Sequence, residues 1–186
     1  MIEVPADRCE RHRLFKTIDE AFKAGDFQAL GAALGYSPHW FDEEMPVELG
    51  LGHPLEYAIY WSPLPFIDQL IAAGSDPNYT DDGGFPAIIA ALSTSRADRL
   101  DLVKLLLDRG ADPNCRGVND WTPLHYAVGM RDAGAINLLL SAGADPKLRT
   151  RIDDCDTALE GAEAAGFELG ASLLREAGDR NAVAGD

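Results

Sequence analysis

Cysteines, aromatic residues and long apolar runs are all scarce in this sequence of 186 residues. The three cysteines form no CxxC pair, which argues against a disulfide framework and fits a reducing compartment. Aromatic residues make up 8% of the chain against 46% for all hydrophobic residues, which indicates a folded, aliphatic core. No uninterrupted apolar run approaches a membrane span, and the opening MIEVPADRCERHR lacks an apolar signal region. We therefore expect a cytoplasmic protein with no membrane association.

Basic residues are also few, since 16 Lys and Arg stand against 31 Asp and Glu and give a formal net charge of −15. A charge of this sign repels nucleic acid and anionic membranes. It favours a basic protein partner, although a role in solubility alone explains it equally well. We expect no nucleic-acid partner, and the two explanations of the charge stay open.

The motifs that mark catalytic and cofactor sites are absent. There is no GxxxxGK[ST], HExxH or GxSxG, and no cysteine or histidine pair has zinc-ligand spacing. Acidic clusters such as Asp42-Glu43-Glu44 do not match the ligand spacing of a calcium loop. We therefore predict no catalytic, metal or cofactor site, while a triad assembled from residues distant in sequence stays open.

Internal repetition is what the chain has in abundance. A glycine-aspartate-proline turn occurs as GSDPN at Gly74, GADPN at Gly110 and GADPK at Gly143, and each follows an apolar run. With Gly178, which ends a fourth run, the closing glycines are 36, 33 and 35 residues apart. The units also open alike, as HPLEYAI, FPAIIAA, TPLHYAV and TALEGAE. Turn chemistry, proline-led starts and glycine stops predict a turn and two helices in each unit.

The repeats resemble a known family. TPLHYA (122–127) and LLLSAGAD (138–145), with a period of 33 residues, closely resemble the ankyrin-repeat signature. The resemblance covers roughly residues 14–178 and implies an all-α fold, an ankyrin-repeat solenoid of stacked antiparallel helix pairs with projecting β-turn fingers. It also implies that His125 hydrogen-bonds finger backbone, and that His53, which occupies the threonine position of its own unit, is structural.

The repeat boundaries predict one domain between two tails. Residues 1–12 are expected to form an N-terminal tail, 13–178 a single ankyrin-repeat domain, and 179–186 a frayed C-terminal tail. Within the domain we predict a cap and four repeats, at 13–36 and at about 46–79, 80–115, 116–148 and 149–178. The cap keeps two helices but has lost the proline-led opening and the GADPN ending, and its charged residues suit a solvated outer face.

Two insertions depart from the regular unit. Residues 93–101, STSRADRLD, add about one helical turn between the helices of the second repeat. The finger before the first repeat is also lengthened and contains Trp40 and Phe41 beside the acidic cluster. Long loops in compact folds are usually functional or disordered, and the aromatic residues favour an ordered loop.

The resemblance also implies where a partner binds, because ankyrin repeats typically bind proteins through finger tips and the concave face of their first helices. The concave positions are Tyr60-Trp61, Leu92-Ser93, Gly129-Met130 and Ala164-Ala165. Tryptophan and tyrosine are enriched in interface hot spots. For Trp61 and Trp121 the alternative is internal packing, and for the acidic pairs it is simple solvation of the finger tips. The predicted partner-binding residues are Trp40, Phe41, Tyr60, Trp61, Asp81, Asp82, Phe85, Trp121, Met130, Asp153 and Asp154.

These patterns together predict a non-catalytic, monomeric protein-binding module, such as an adaptor, an inhibitor or a neutralising partner of a basic protein. The alternative function is an accessory or regulatory subunit of an enzyme. A self-assembling architectural unit is disfavoured, because both terminal units carry charge where an apolar face would invite another copy.

Overall fold

The computed structural model describes residues 4–35, 41, 45–46, 49–80, 84–151 and 155–183. Within these ranges the chain forms ten α-helices in five consecutive pairs, and an isolated antiparallel β-bridge joins Arg149 to Thr157. None of these helices is both long and apolar enough to cross a membrane. The helices are α1 (Arg8–Ala24), α2 (Phe27–Ala33), α3 (Pro54–Trp61), α4 (Leu64–Ala73), α5 (Ala87–Ser93), α6 (Arg99–Asp108), α7 (Pro123–Gly129), α8 (Ala133–Ser141), α9 (Ala158–Ala164) and α10 (Glu168–Val183).

The fold divides into two compact units, unit 1 (residues 1–81) and unit 2 (residues 82–186). Unit 1 holds α1 to α4, and its core forms where α1 packs on the next helix pair. Phe22 is fully buried there, with its ring centroid 4.9 Å from that of Tyr57 and 5.7 Å from that of Phe66. Burial of a large aromatic side chain is worth a few kcal/mol, so α1 is an integral part of this unit.

Helix α1 begins at Arg8, earlier than the predicted start of the cap at residue 13. Asp7 precedes the helix, and its carboxylate accepts hydrogen bonds from the backbone nitrogens of Cys9 and Glu10, at 2.9 and 3.0 Å. This N-cap satisfies backbone donors that would otherwise lack partners at the start of the helix. The first turn of α1 therefore extends into the segment predicted to be a tail.

Unit 2 contains three helix pairs that repeat the same arrangement. The first helices of the pairs, α5, α7 and α9, pack side by side in that order. The second helices, α6, α8 and α10, also pack side by side in order. Leucines of the second helices, including Leu102, Leu106 and Leu139, are completely buried. Each helix pair thus covers the apolar face of the next, as a repeat architecture requires.

The turn between successive pairs is built as the GADPN motif predicts. Gly110 follows α6 with a φ of 96°, a conformation that glycine adopts without steric cost. The Asp112 carboxylate accepts a hydrogen bond from the backbone nitrogen of Asn114 at 2.8 Å. Asn114 also reaches the next turn, donating to the carbonyl of Gly143 at 3.2 Å and accepting from the nitrogen of Asp145 at 2.7 Å. The Asn side chain therefore fixes the spacing between adjacent repeats.

Three expectations from the sequence need correction. The insertion in the second repeat does not extend a helix, because α5 ends at Ser93, residues 94–98 form a loop and α6 starts at Arg99. Leu92, expected on the concave face, is 1% exposed, since α5 is apolar on all sides and the buried Thr94 continues the packing. Helix α10 continues through Gly178 to Val183, because one helical glycine costs only about 1 kcal/mol and no proline follows.

Candidate functional site

The predicted partner-binding residues of unit 1 lie at the end of its first helix. Tyr60 is 41% exposed and Trp61 is 56% exposed. Trp61 is only partly covered, with its ring 6.5 Å from that of Tyr57 and the Nζ atom of Lys23 5.4 Å from its centre. The same Nζ atom lies 2.8 Å from the Asp19 carboxylate. An ammonium group thus sits between a tryptophan ring and a carboxylate, while much of the ring remains open to solvent.

Phe41 packs against the rest of unit 1. It is half-buried, and its ring touches the end of α4, where a Cβ atom on Gly74 would approach Phe41 Cε2 to 2.8 Å. The Ser75 hydroxyl donates a hydrogen bond to the Phe41 carbonyl. Phe41 therefore fastens this point of the first finger to the helix pair.

An aromatic row crosses the finger bases of unit 2. Trp121 and Phe85, both half-buried, contact Tyr126 on α7 edge-on, with centroid distances of 5.3 and 6.2 Å. Edge-to-face contacts of this kind stabilise the ring positions by about 0.5–1.5 kcal/mol beyond the area that they bury. Trp121 is thus held in place by its own repeat and yet keeps part of its surface exposed.

A cleft of about 890 Å³ opens next to Trp121, between the first helices α7 and α9. Most of its wall is apolar and made of small residues, which leaves the space unfilled. The apolar wall consists of Trp121, Val128, Gly129, Ala158, Gly161 and Ala164. Polar side chains also line it, namely His125 on α7, Asp156 in the turn before α9 and Arg131 beyond the end of α7. A volume of this size lies within the range of small-ligand and side-chain pockets.

Met130, which follows α7, is another exposed apolar residue of this surface, at 43%. Arg99 of α6 lies beside it, with Nη1 3.9 Å from the Met130 sulfur, and forms an ion pair with Asp132. Because the Arg99 charge is paired, the neighbourhood of Met130 offers mainly apolar contact area.

His125 is a structural residue, as the resemblance implies. Its Nδ1 atom lies 2.8 Å from the Thr122 hydroxyl, and its Nε2 atom lies 3.0 Å from the carbonyl of Asp156 in the next finger. A carbonyl only accepts hydrogen bonds, so Nε2 carries the proton and Nδ1 accepts. Burial lowers the pKa of the imidazole below its usual value and keeps it neutral. His53 is structural in another way, as the N-cap of α3, since its Nδ1 atom accepts a hydrogen bond from the backbone nitrogen of Leu55 at 3.2 Å.

A network of charged residues joins the third finger (residues 110–121) to the fourth (residues 143–157), and the sequence did not predict it. Arg151 donates to both Asp120 oxygens, at 2.8 and 2.6 Å, and Arg116 donates to one of them at 2.5 Å. Arg149 pairs with Glu160 at 2.9 Å. Hydrogen bonds from Thr157 and Arg149 lower the pKa of Glu160 to about 2. The carboxylates of Asp120 and Glu160 are therefore neutralised by arginines.

Several predicted residues lie outside the described ranges. They are Trp40, Asp81, Asp82, Asp153 and Asp154. The acidic cluster 42–44 lies outside them as well. Among the residues that are described, no three His, Cys, Asp or Glu side chains come together as metal ligands. Burial raises the pKa of the Cys115 thiol to about 12, so this cysteine is a poor nucleophile at neutral pH.

Comparison with known proteins shows the same repeat. The family model for ankyrin repeats (3 copies) matches residues 55–150, just over half of the chain. An ankyrin repeat-containing protein of Treponema pallidum (strain Nichols) is 39% identical over 85 residues, which is 45% of this chain and 28% of that protein. Ankyrin repeat protein R664 of Acanthamoeba polyphaga mimivirus is 33% identical over 84 residues, 44% of this chain and 52% of that protein.

Much larger proteins contain a similar segment. Glycerophosphocholine phosphodiesterase gde1 of Schizosaccharomyces pombe (strain 972 / ATCC 24843) is 33% identical over 114 residues, 59% of this chain but 9% of that protein. The chain thus spans between about a tenth and a half of the length of these three relatives. The matched segments hold the proline-led helices and glycine-terminated turns described above, and the chain belongs to the ankyrin-repeat family.

Proposed function

We propose that this chain is a non-catalytic protein-binding module that uses the ends of its first helices and the adjoining finger bases to hold a protein partner. Ankyrin repeats generally mediate protein–protein interactions and are typically not catalytic. One observation carries the proposal for this chain. Three large side chains, Tyr60, Trp61 and Met130, are 41–56% exposed at the ends of first helices in both units.

Exposed tryptophan and tyrosine on a rigid helix suit an interface, because they supply large contact area while losing little side-chain entropy. Trp61 and Tyr60 meet this description in unit 1. In unit 2 the half-buried Trp121 lines the apolar cleft next to α7, the helix that Met130 follows. The surface of this chain that binds the partner is therefore expected to be aromatic and apolar at its centre in each unit.

The partner is proposed to be basic. The net charge is −9 for unit 1, from 5 basic and 14 acidic residues, and −6 for unit 2, from 11 basic and 17 acidic residues. Negative potential of this size accelerates encounter with a positively charged protein and disfavours acidic ones. Binding is proposed to recruit, inhibit or neutralise the partner. Any catalysed reaction is proposed to be carried out by the partner.

Affinity capture from a native extract at two salt concentrations tests this function. The full chain is immobilised, and proteins retained at about 50 mM and about 300 mM salt are quantified by mass spectrometry. We expect one basic protein to dominate and to be retained several-fold less at high salt, because screening weakens attraction between charged surfaces. Retention of no protein above the level of blank beads would reject the function, and dominance of an acidic protein would reject the charge assignment.

A further inference from the structure

The cleft in unit 2 contains a carboxylate that no described residue binds by a hydrogen bond. Asp156 lines the cleft and is half-buried. Its backbone carbonyl accepts hydrogen bonds from the Thr150 nitrogen and from His125 Nε2, both at 3.0 Å. Its side-chain carboxylate makes neither a hydrogen bond nor an ion pair within the described part of the chain. A partly buried charge of this kind gains from a partner with the opposite sign.

The other charges near the cleft are already satisfied. Asp120 is bound by two arginines, and Glu160 is bound by Arg149, which also lies near enough to Asp156 for a charge interaction. Arg131 donates to the carbonyls of Ala165 and Gly166, at 2.9 and 3.1 Å, beyond the end of α9. Its guanidinium therefore has hydrogen-bond acceptors at the negative end of the helix dipole. The Asp156 carboxylate is the charged group of the cleft to which the described residues supply no hydrogen bond.

Trp121 and Asp156 both line the cleft and both contact His125, so an aromatic residue and an acidic residue belong to the same cleft. The Trp121 ring centroid is 6.3 Å from that of His125, and the Asp156 carbonyl is 3.0 Å from Nε2. Ala158, Gly161 and Ala164 in the wall leave room for a long, unbranched side chain, whereas the space at Gly129 is filled by the Trp121 ring. This combination of an apolar channel, an aromatic face and one carboxylate matches a lysine or arginine side chain.

Unit 1 shows the same chemistry within this chain. There Lys23 places its ammonium group 5.4 Å from the Trp61 ring centre and 2.8 Å from the Asp19 carboxylate. The cleft in unit 2 also contains a tryptophan and an aspartate, Trp121 and Asp156. In the described part of the chain no lysine binds the Asp156 carboxylate.

We propose that the cleft between α7 and α9 takes a lysine or arginine side chain of the protein partner, with its stem along Trp121 and the small residues of the wall and its charge at Asp156. The inference rests on the proposed function and names the partner chemistry at one subsite. Charge complementarity selects the occupant, because an acidic side chain would bring like charges together and an apolar one would leave Asp156 unpaired and desolvated.

Random dodecapeptides displayed on phage test the occupant without knowledge of the partner. The full-length chain is the bait, and enriched peptides are synthesised for affinity measurements against wild type, Asp156→Asn and Trp121→Ala. Asp156→Asn keeps the shape of the side chain and removes no hydrogen bond found among the described residues. Asp101→Asn, which removes an exposed carboxylate from α6, is the matched control. Circular dichroism establishes that each variant is folded.

We expect the enriched peptides to share a Lys or Arg next to apolar residues. Their affinity should fall roughly tenfold with Asp156→Asn, since the peptide loses a charge-assisted hydrogen bond, and should stay within twofold with Asp101→Asn. Enrichment of acidic or purely apolar peptides would overturn the proposal, as would equal affinity for wild type and Asp156→Asn or the absence of any enriched peptide. These outcomes leave the proposed function standing if the extract partner is still captured, so the two failures are distinguishable.

Discussion

Arg151 donates two parallel hydrogen bonds to the Asp120 carboxylate, from Nε at 2.8 Å and from Nη2 at 2.6 Å, across 31 positions of sequence. The Asp120 side chain is 6% exposed, and Arg116 binds it as well. The Arg151 hydrogen bond, helped by the charge of Arg116, lowers the pKa of Asp120 below its ordinary value. One carboxylate of the third finger thus holds the fourth finger beside it.

Asp120→Asn should lower the melting temperature of the protein by several degrees at pH 7, because two arginines lose their buried counter-ion. Since folding depresses this pKa, the stabilisation is present above the unfolded value of about 3.9 and is lost as pH falls through the folded value. The difference between wild type and variant should therefore shrink as pH falls below about 4. Thermal melts followed by circular dichroism from pH 7 to pH 3 measure this, with Asp101→Asn as the control. A difference that stays constant over this range would contradict the role of the charge.

His125→Gln should reduce the free energy of unfolding by about 1–3 kcal/mol at pH 7, because two buried hydrogen bonds are lost. Burial depresses the folded pKa of His125, so the unfolded state binds more protons between that value and about 6.5. The stabilisation is complete above pH 6.5 and is lost as the pH falls through the folded pKa. Urea unfolding at pH 7.5 and pH 5 should thus show a smaller difference between wild type and variant at pH 5. An equal or larger difference at pH 5 would count against a neutral, buried imidazole.

Gly129→Ala should move the Trp121 ring without harming the fold. An added Cβ atom would lie 3.3 Å from Trp121 Cζ3, so the half-buried ring must shift by a few tenths of an ångström. Alanine is favoured over glycine in a helix by up to about 1 kcal/mol, so the net change in stability should stay within that amount. The measurement is the Trp121 indole signal in a ¹H–¹⁵N NMR spectrum.

Gly178→Ala is the matched control for this change, because its added Cβ atom would meet no atom within 4 Å. It should raise helix stability similarly and leave the Trp121 signal in place. Identical Trp121 spectra for both variants would show that the wall of the cleft is looser than the contact with Gly129 indicates.

The repeat architecture was predictable because its determinants are local in sequence. A proline-led helix, a glycine stop and an Asp-Pro-Asn turn each act within a few residues, and the period repeats them in register. His125 and the Gly110 turn therefore have the roles that the sequence indicated. The same logic located Tyr60 and Trp61 at the exposed end of α3, although their role in binding stays a prediction.

What the sequence did not reveal depends on contacts between residues distant in sequence. Arg151 binds Asp120 across two fingers, and no local motif announces such a pair. Leu92 occupies a position that other repeats expose, but its surroundings after the insertion bury it. Asp156 could be distinguished only from the structure. Arginines bind Asp120 and Glu160, whereas no described residue hydrogen-bonds to the Asp156 carboxylate.

Tyr60→Ala/Trp61→Ala should leave the helical circular dichroism signal unchanged, since both side chains are 41–56% exposed. It should weaken partner binding by at least about 1–2 kcal/mol for each aromatic side chain that contacts the partner. Leu169→Ala, which removes a 59% exposed apolar side chain from the second helix α10, is the matched control and should bind like wild type.

The most direct measurement is therefore the quantity of partner captured from a native extract by three immobilised proteins: wild type, Tyr60→Ala/Trp61→Ala and Leu169→Ala. If the first-helix ends bind the partner, wild type and Leu169→Ala capture the same protein in equal amounts, and the double variant captures at least about tenfold less. Equal capture by all three folded proteins would contradict a binding role for this surface.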